Sequence, residues 1–149
     1  MTLNLTILNG PNLNLLGERE PEIYGSTSLR DVEQACNAYV KKAGINLTFL
    51  QSNHEGVLVD WIQDARLIAD ALIINPAGYS FHSGAIFDAM KIFSGPIIEL
   101  HISNIHARDD LHRHSKLSAA ATGVICGLGT YGYIAAIQAA AHLATAKNS

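Results

Sequence analysis

Apolar residues in this chain alternate between two rhythms, short continuous runs and longer stretches in which they recur every three or four positions. Continuous runs suit strands buried on both faces, and the wider spacing suits helices that bury one side. Five runs have the first pattern: Leu3–Asn9, Asn46–Gln51, Ala71–Asn75, Ile97–His101 and Thr122–Cys126, each rich in Ile, Leu, Val or Phe. None alternates cleanly between polar and apolar, as a strand with one wet face would. Strands separated by helical patterns are the mark of a parallel sheet with crossover helices.

The helical stretches carry their own boundaries. Ser28 as N-cap, with Asp31 three residues on, opens a helix that buries Leu29, Val32, Cys36, Tyr39 and Val40 and stops at Gly44. A second runs from about Glu55 with Val57, Leu58, Trp61, Ile62, Ala65 and Ile68 inward, and a third from about Ser83 with Ala85, Ile86, Ala89, Met90 and Phe93 inward. The last is the alanine-rich stretch Tyr131–Ala146, whose small side chains permit close helix packing or a subunit contact. The order predicts one α/β domain over 1–149: a flavodoxin-like, doubly wound, five-stranded parallel sheet in the order 2-1-3-4-5, with helices on both faces.

Composition narrows the partners. A formal charge of -3 and a pI near 6.1 leave no basic surface for nucleic acid or anionic membrane, so an anionic ligand must be caught by a local cluster of donors. At 149 residues and 48% hydrophobic the chain can bury a core without disulfides or metal. Cys36 and Cys126 belong to no CxxC and read as two buried thiols in a reducing compartment. No basic leader precedes the first apolar run, and no run approaches the roughly 20 residues of a membrane span, so a soluble, cytoplasmic protein is expected.

The segment between the first strand and the first helix, Asn9 to Thr27, is long for a strand-to-helix connection, which typically takes about 2–6 residues. It carries Asn12, Arg19 and Tyr24, and its apolar content argues against a disordered linker. In doubly wound sheets ligands bind beyond the carboxyl ends of the strands where the winding reverses, here between strands one and three. Polar residues gather at such ends: Asn9 and Asn12, Asn75, and His101 to Asn104. Glu99 and His101 lie two apart on a strand and share a face, so the carboxylate can fix the imidazole's tautomer and raise its pKa, making a competent general acid; a purely structural ion pair fits the spacing equally well. A phenol with a pKa of about 10 becomes a base near neutrality only beside a cation and further donors, and Arg19 is the cation available to Tyr24.

Gly10-Pro11-Asn12-Leu13-Asn14, Arg19-Glu20-Pro21, Tyr24-Gly25, Asn75-Pro76 and His101-Ile102-Ser103-Asn104 with His106-Ala107-Arg108 stand in one order. In this the chain resembles the type II 3-dehydroquinate dehydratases over essentially its whole length. The resemblance implies elimination of water from 3-dehydroquinate to give 3-dehydroshikimate, a step used in aromatic biosynthesis and in quinate breakdown, without metal, cofactor or Schiff base. It implies Tyr24 as base, Arg19 as its supporting cation, Asn12 as stabiliser of the enolate through a water, His101 as acid and Glu99 as the acid's orienting partner. Asn75 and the backbone amides of Ile102 and Ser103 match substrate carboxylate and hydroxyl contacts, and Asp88 matches a residue that reaches a neighbouring subunit's site. The resemblance further implies a homo-oligomer, a dodecamer built from trimers, and a first loop that acts as a lid.

Two positions depart from the family's pattern, both in the part that holds ring hydroxyls away from the reacting carbons. Phe81 stands where a His is usual, with His82 shifted by one, and His112 stands where an Arg is usual, with Arg113 next door. Lesser differences are the order Ala77-Gly78 and Phe87 in place of a common Arg. Either a local register change lets His82 and Arg113 take over, or the chain acts on a related hydroxylated ring acid, or it binds such a ligand without turning it over. Gly127, Gly129 and Gly132 form a GxGxxG, but at the last strand and with no acidic residue after Asp110, so a tight turn with close helix packing explains them better than a dinucleotide. His106, His112 and His114 fit no common zinc spacing.

Overall fold

The computed structural model describes residues 2–18 and 21–148. Five parallel strands, β1 (Asn4–Asn9), β2 (Asn46–Gln51), β3 (Ala71–Asn75), β4 (Ile97–His101) and β5 (Gly123–Cys126), pair in the order 2-1-3-4-5. Three strands have the expected bounds, and the first and last begin one residue later than expected. Leu3 and Thr122 still join the ladder through single backbone bonds, to Asn46 N–H at 2.9 Å and Ile97 C=O at 2.7 Å.

Among the described residues α1 (Pro21–Tyr24), α2 (Leu29–Ala43), α3 (Glu55–Ile68) and α4 (Gly84–Ile92) lie between strands, and α5 (Gly132–Asn148) follows β5. Ser28 and Asp31 close a reciprocal capping box on α2, and Gly44 ends it at φ 71°. On one face of the sheet α2 and α5 cover Leu5, Ile7, Ala71, Ile73, Ile98 and Leu100; on the other α3 and α4 cover Leu8, Leu72, Ile74 and Ile97. β3 and β4 are buried along their whole length, which is why they read as unbroken apolar runs. Burying each such Leu or Ile stabilises the fold by about 1.5–3 kcal/mol before chain entropy is counted.

Three expected core positions move outward. Ile68 is 56% exposed because the packed face of α3 ends at Ala65. Ala85 is exposed because Ser83 and Ile86 take the inward positions at the start of α4. Cys126 is half-buried, since β5 is an edge strand, whereas Cys36 is fully buried. Trp61 packs half-buried against the α3–α4 layer.

The loop after β1 is not structureless. It contains a 3-10 turn at Leu13–Leu15 and the single turn α1, which Pro21 opens at the position where a missing N–H costs nothing. Gly127 and Gly129 adopt φ of +85° and +62°, and a Cβ on Gly132 would meet Leu100 Cδ1 at 3.0 Å, so these glycines serve a turn and a close helix approach. Among the described residues no helix is long and apolar enough to cross a membrane.

Candidate active site

The carboxyl ends of β1, β3 and β4 open on a cavity of about 220 Å³. Asn12 enters it from the loop after β1, Asn75 and Ala77 from the end of β3, and His101, Ile102 and Ser103 from the end of β4. Two non-glycine residues among those described have positive φ, Asn12 at 70° and Ala77 at 51°, and both line this cavity. For an alanine that conformation costs roughly 1–2 kcal/mol, a cost usually retained only where the site requires it. Gly10 makes the approach possible: its N–H reaches Asn75 C=O at 2.8 Å, and a Cβ there would sit 2.5 Å from Pro76 O.

Glu99 and His101 are 0% and 5% exposed and joined by an Oε2–Nε2 hydrogen bond. Glu99 also accepts from Ser80 Oγ at 3.1 Å and from Ser118 Oγ at 2.5 Å. Ser80 Oγ lies 3.4 Å from His101 Nε2 and 2.5 Å from Ser115 Oγ. Burial works to raise the Glu99 carboxyl, but hydrogen bonds from His101, Ser115 and Ser118 and the charge of the imidazole outweigh it and hold the group below the usual carboxylate range. An ionised, immobile carboxylate fixes one ring nitrogen of His101 and leaves the other for chemistry.

Asn12 donates its backbone N–H to Asn53 Oδ1 at 2.9 Å, and Asn75 is held by Tyr133 and by the Ala77 N–H. Arg19 lies outside the described residues, as does the side chain of Tyr24; the backbone of Tyr24 closes α1. Asp88 is exposed on α4, away from the cavity wall.

Of the positions that depart from the expected pattern, Phe81 and His112 line the cavity. Phe81 stacks on His101 with centroids 6.5 Å apart and meets His112 edge-on at 5.2 Å. His112 Nδ1 bonds Asp109 Oδ1 at 2.8 Å, and this contact first of all lowers the Asp109 carboxyl. His82 and Arg113, which one of the three readings brings into the site through a local register change, do not line the cavity. His82 is exposed and packs edge-on to Tyr79, while the Arg113 guanidinium is drawn off by Arg108 C=O at 3.2 Å and Asp110 at 3.5 Å.

Several site residues escaped sequence reasoning. Arg108 lines the cavity and was visible within the His106-Ala107-Arg108 motif as a cation near a strand end. Ser80, Ser115 and Ser118 gave no signal, because serines become partners of Glu99 only once the loops around β4 are folded. Among the described residues no three His, Cys, Asp or Glu side chains gather as a metal site would require.

Comparison with known proteins matches residues 3–141 to the family model for dehydroquinase class II. The chain belongs to the class II dehydroquinase family. A 3-dehydroquinate dehydratase of Caulobacter sp. is 52% identical over 147 residues, covering 99% of this chain and 100% of that protein. One from Janthinobacterium sp. is 54% identical over 139 residues, covering 93% and 96%. The crystal structure of a type II dehydroquinase from Butyrivibrio crossotus superposes with a TM-score of 0.92 at 39% identity, covering 94% of this chain and 98% of that one. The dehydroquinase fold therefore carries the cavity, and the match spans the loop after β1 and every strand.

Proposed function

We propose that this dehydroquinase is a hydro-lyase that removes water from 3-dehydroquinate to give 3-dehydroshikimate. The observation that carries the reading is the convergence, on one cavity of a class II dehydroquinase chain, of the buried Glu99–His101 pair with Asn12 and Asn75. Tyr24, as phenolate beside Arg19, takes the proton next to the ketone. The resulting enolate is stabilised through a water held by Asn12. His101, steadied by Glu99, protonates the neighbouring hydroxyl, which leaves as water as the ring C=C forms. The proton gained by the phenol and the proton lost by the imidazole are exchanged back through solvent. A base, stabilisation of developing negative charge and an acid are what such an elimination needs.

Asn75 and the amides of Ile102 and Ser103 hold the carboxylate end of the ring, and His112 faces its distal hydroxyls. Asp88, exposed on α4, reaches the site of a neighbouring subunit in a trimer-based dodecamer. His82 and Arg113, outside the cavity wall, take no part in this reading.

Phe81 favours a second reading, a paralogue acting on a related hydroxylated ring acid. Its ring, 8% exposed and stacked on His101, offers no hydrogen bond to a hydroxyl placed against it. Incubation with 3-dehydroquinate, followed by the absorbance of the conjugated enone, tests the first reading. Turnover that Tyr24→Phe and His101→Ala each abolish supports it; no product at high enzyme concentration removes it and leaves the second. An active Tyr24→Phe protein refutes the assigned base.

A further inference from the structure

Beneath the cavity Asn9, Tyr133 and Asn75 form a buried chain of side-chain hydrogen bonds whose direction is forced. Asn9 Nδ2 donates to Leu50 C=O at 3.0 Å, and a carbonyl can only accept, so the oxygen of that amide faces Tyr133. The Tyr133 hydroxyl spends its one proton on Asn9 Oδ1 at 2.7 Å. Its oxygen must then accept from Asn75 Nδ2, at 3.0 Å. The Asn75 oxygen in turn accepts the Ala77 N–H at 3.3 Å. The second Nδ2 hydrogen of Asn75 has no acceptor among the described residues and is the donor left for a ligand.

Asn9 and Tyr133 are fully buried and Asn75 is 3% exposed, so water does not reach the Asn9–Tyr133 contact, and the Asn75 amide cannot flip without losing its bonds to both Tyr133 and the Ala77 N–H. We infer that Tyr133, with Asn9 behind it, is a positioning residue that locks the Asn75 amide in the orientation that donates into the cavity, matching a ligand acceptor such as a carboxylate oxygen. Tyr133 comes from α5, packed on the sheet face toward which Asn9 and Asn75 point, and it does not line the cavity. Burial pushes its phenol well above the ordinary range, so it stays neutral and its proton stays with Asn9. The ligand's identity as a ring acid rests on the proposed function; the locking does not.

Two measurements test this. In the wild-type protein the Asn75 Nδ2 hydrogen donated to Tyr133, resolved from its cavity-facing partner by ¹⁵N NMR, exchanges with water slowly, and Tyr133→Phe speeds that exchange by about tenfold or more, the loss of one buried hydrogen bond. In steady-state assays with 3-dehydroquinate, Tyr133→Phe raises KM about tenfold and leaves kcat within about threefold, which a general loss of structure would not do. Asn9→Ala removes the acceptor at the other end of the chain and gives the same split. Rapid exchange of that hydrogen in the wild type overturns the inference. So does a folded Tyr133→Phe protein with unchanged exchange, or one whose kcat falls at constant KM. Should the wild type fail to turn over 3-dehydroquinate, the proposed function fails while the exchange measurement still decides the role of Tyr133.

Discussion

Glu99→Gln takes the negative charge out of the buried acid pair and keeps the shape of the side chain. Oε2 of Glu99 serves His101 and Ser80, and Oε1 serves Ser118. A glutamine brings one oxygen and one NH₂ group. Ser118 is a hydroxyl and can reverse from donor to acceptor, so the NH₂ turns to Ser118 while the oxygen keeps Ser80 and His101. One amide hydrogen meets Ser118, which is half-buried and can turn its own proton toward solvent, so the substitution keeps most of the local bonding and the protein folds. What is lost is the charge that compensates a cationic His101: a hydrogen bond to an ionised group contributes about 1.5–3 kcal/mol and a neutral one about 0.5–1.5 kcal/mol. The difference, roughly 1–2 kcal/mol, is a factor of about 5–30, and kcat in the enone assay is expected to fall by that much or more. Stability gives a second reading of the same change. Because the folded Glu99 carboxyl is held below its ordinary value of 4.5, its contribution is fully present above that pH and is lost as pH falls through the lower folded value. Urea titrations should therefore find the variant less stable than the parent at pH 7, with the gap closing below about pH 4.5. A kcat within twofold of the parent, together with a stability gap that ignores pH, would refute this account of the pair.

Phe81→His and His112→Arg each add a donor to the distal wall, and each is expected to raise kcat/KM for 3-dehydroquinate by about two- to tenfold, one hydrogen bond's worth; unchanged values would exclude this wall as a determinant of specificity. Gly10→Ala forces a Cβ to within 2.5 Å of Pro76 O and 2.8 Å of Pro76 C, backbone atoms that cannot swing aside, so a loss of about 1–3 kcal/mol or more and a raised KM are expected in urea titration and kinetics. Cys36 is buried, and burial foremost, with the charge of Glu33, pushes its thiol up to about 12, while Cys126 is half-buried on an edge strand. Titration with a thiol reagent at pH 8 should find Cys126 reacting first and Cys36 only on unfolding; two fast thiols per chain would contradict the packing around α2.

Strand and helix positions were legible because the sheet is covered on both sides. β3 and β4 have no wet face, so their runs Ala71–Asn75 and Ile97–His101 are continuous, and the bounds follow from where polarity resumes. Capping chemistry made the start of α2 equally plain, since Ser28 and Asp31 each satisfy a backbone donor that the helix itself cannot. Where coverage ends, the periodicity misleads: Ile68 continues the apolar spacing of α3 beyond the layer it packs on. The site was legible as far as it lies on strand ends. Glu99 and His101 sit two apart in sequence and meet in space, but their serine partners come from positions 80, 115 and 118 and carry no local pattern. The role of His82 and Arg113 could not be read from spacing either, because one residue in a 3-10 turn changes a side chain's direction by about a third of a circle. Phe81 takes the inward place there and His82 the outward one.

β2 contributes no residue to the cavity wall, yet its carboxyl end sets where the wall begins. Gln51 Nε2 donates to Gly10 C=O at 3.1 Å and to Asn53 Oδ1 at 3.1 Å, and Asn53 Oδ1 also accepts the Asn12 N–H at 2.9 Å. The two amides thus hold both ends of the Gly10-Pro11-Asn12 turn, the stretch in which Asn12 adopts its left-handed conformation. Tyr79 Oη ties the same corner to the end of β3 by donating to Asn53 C=O at 2.9 Å. Leu16, 6% exposed, is the next anchor along the loop. The first half of the loop is therefore clamped to the sheet at Asn12, the residue to which the proposed function gives the enolate. The Glu99–His101 pair is built into β4, and Glu99 takes its further hydrogen bonds from the buried Ser80 and the half-buried Ser118. The tyrosine that the proposed function takes as base comes later, on α1. On the proposed function, contacts at the ends of β1, β3 and β4 that are already fixed by these hydrogen bonds need little rearrangement when substrate binds, which is the preorganisation that favours a charge-developing step.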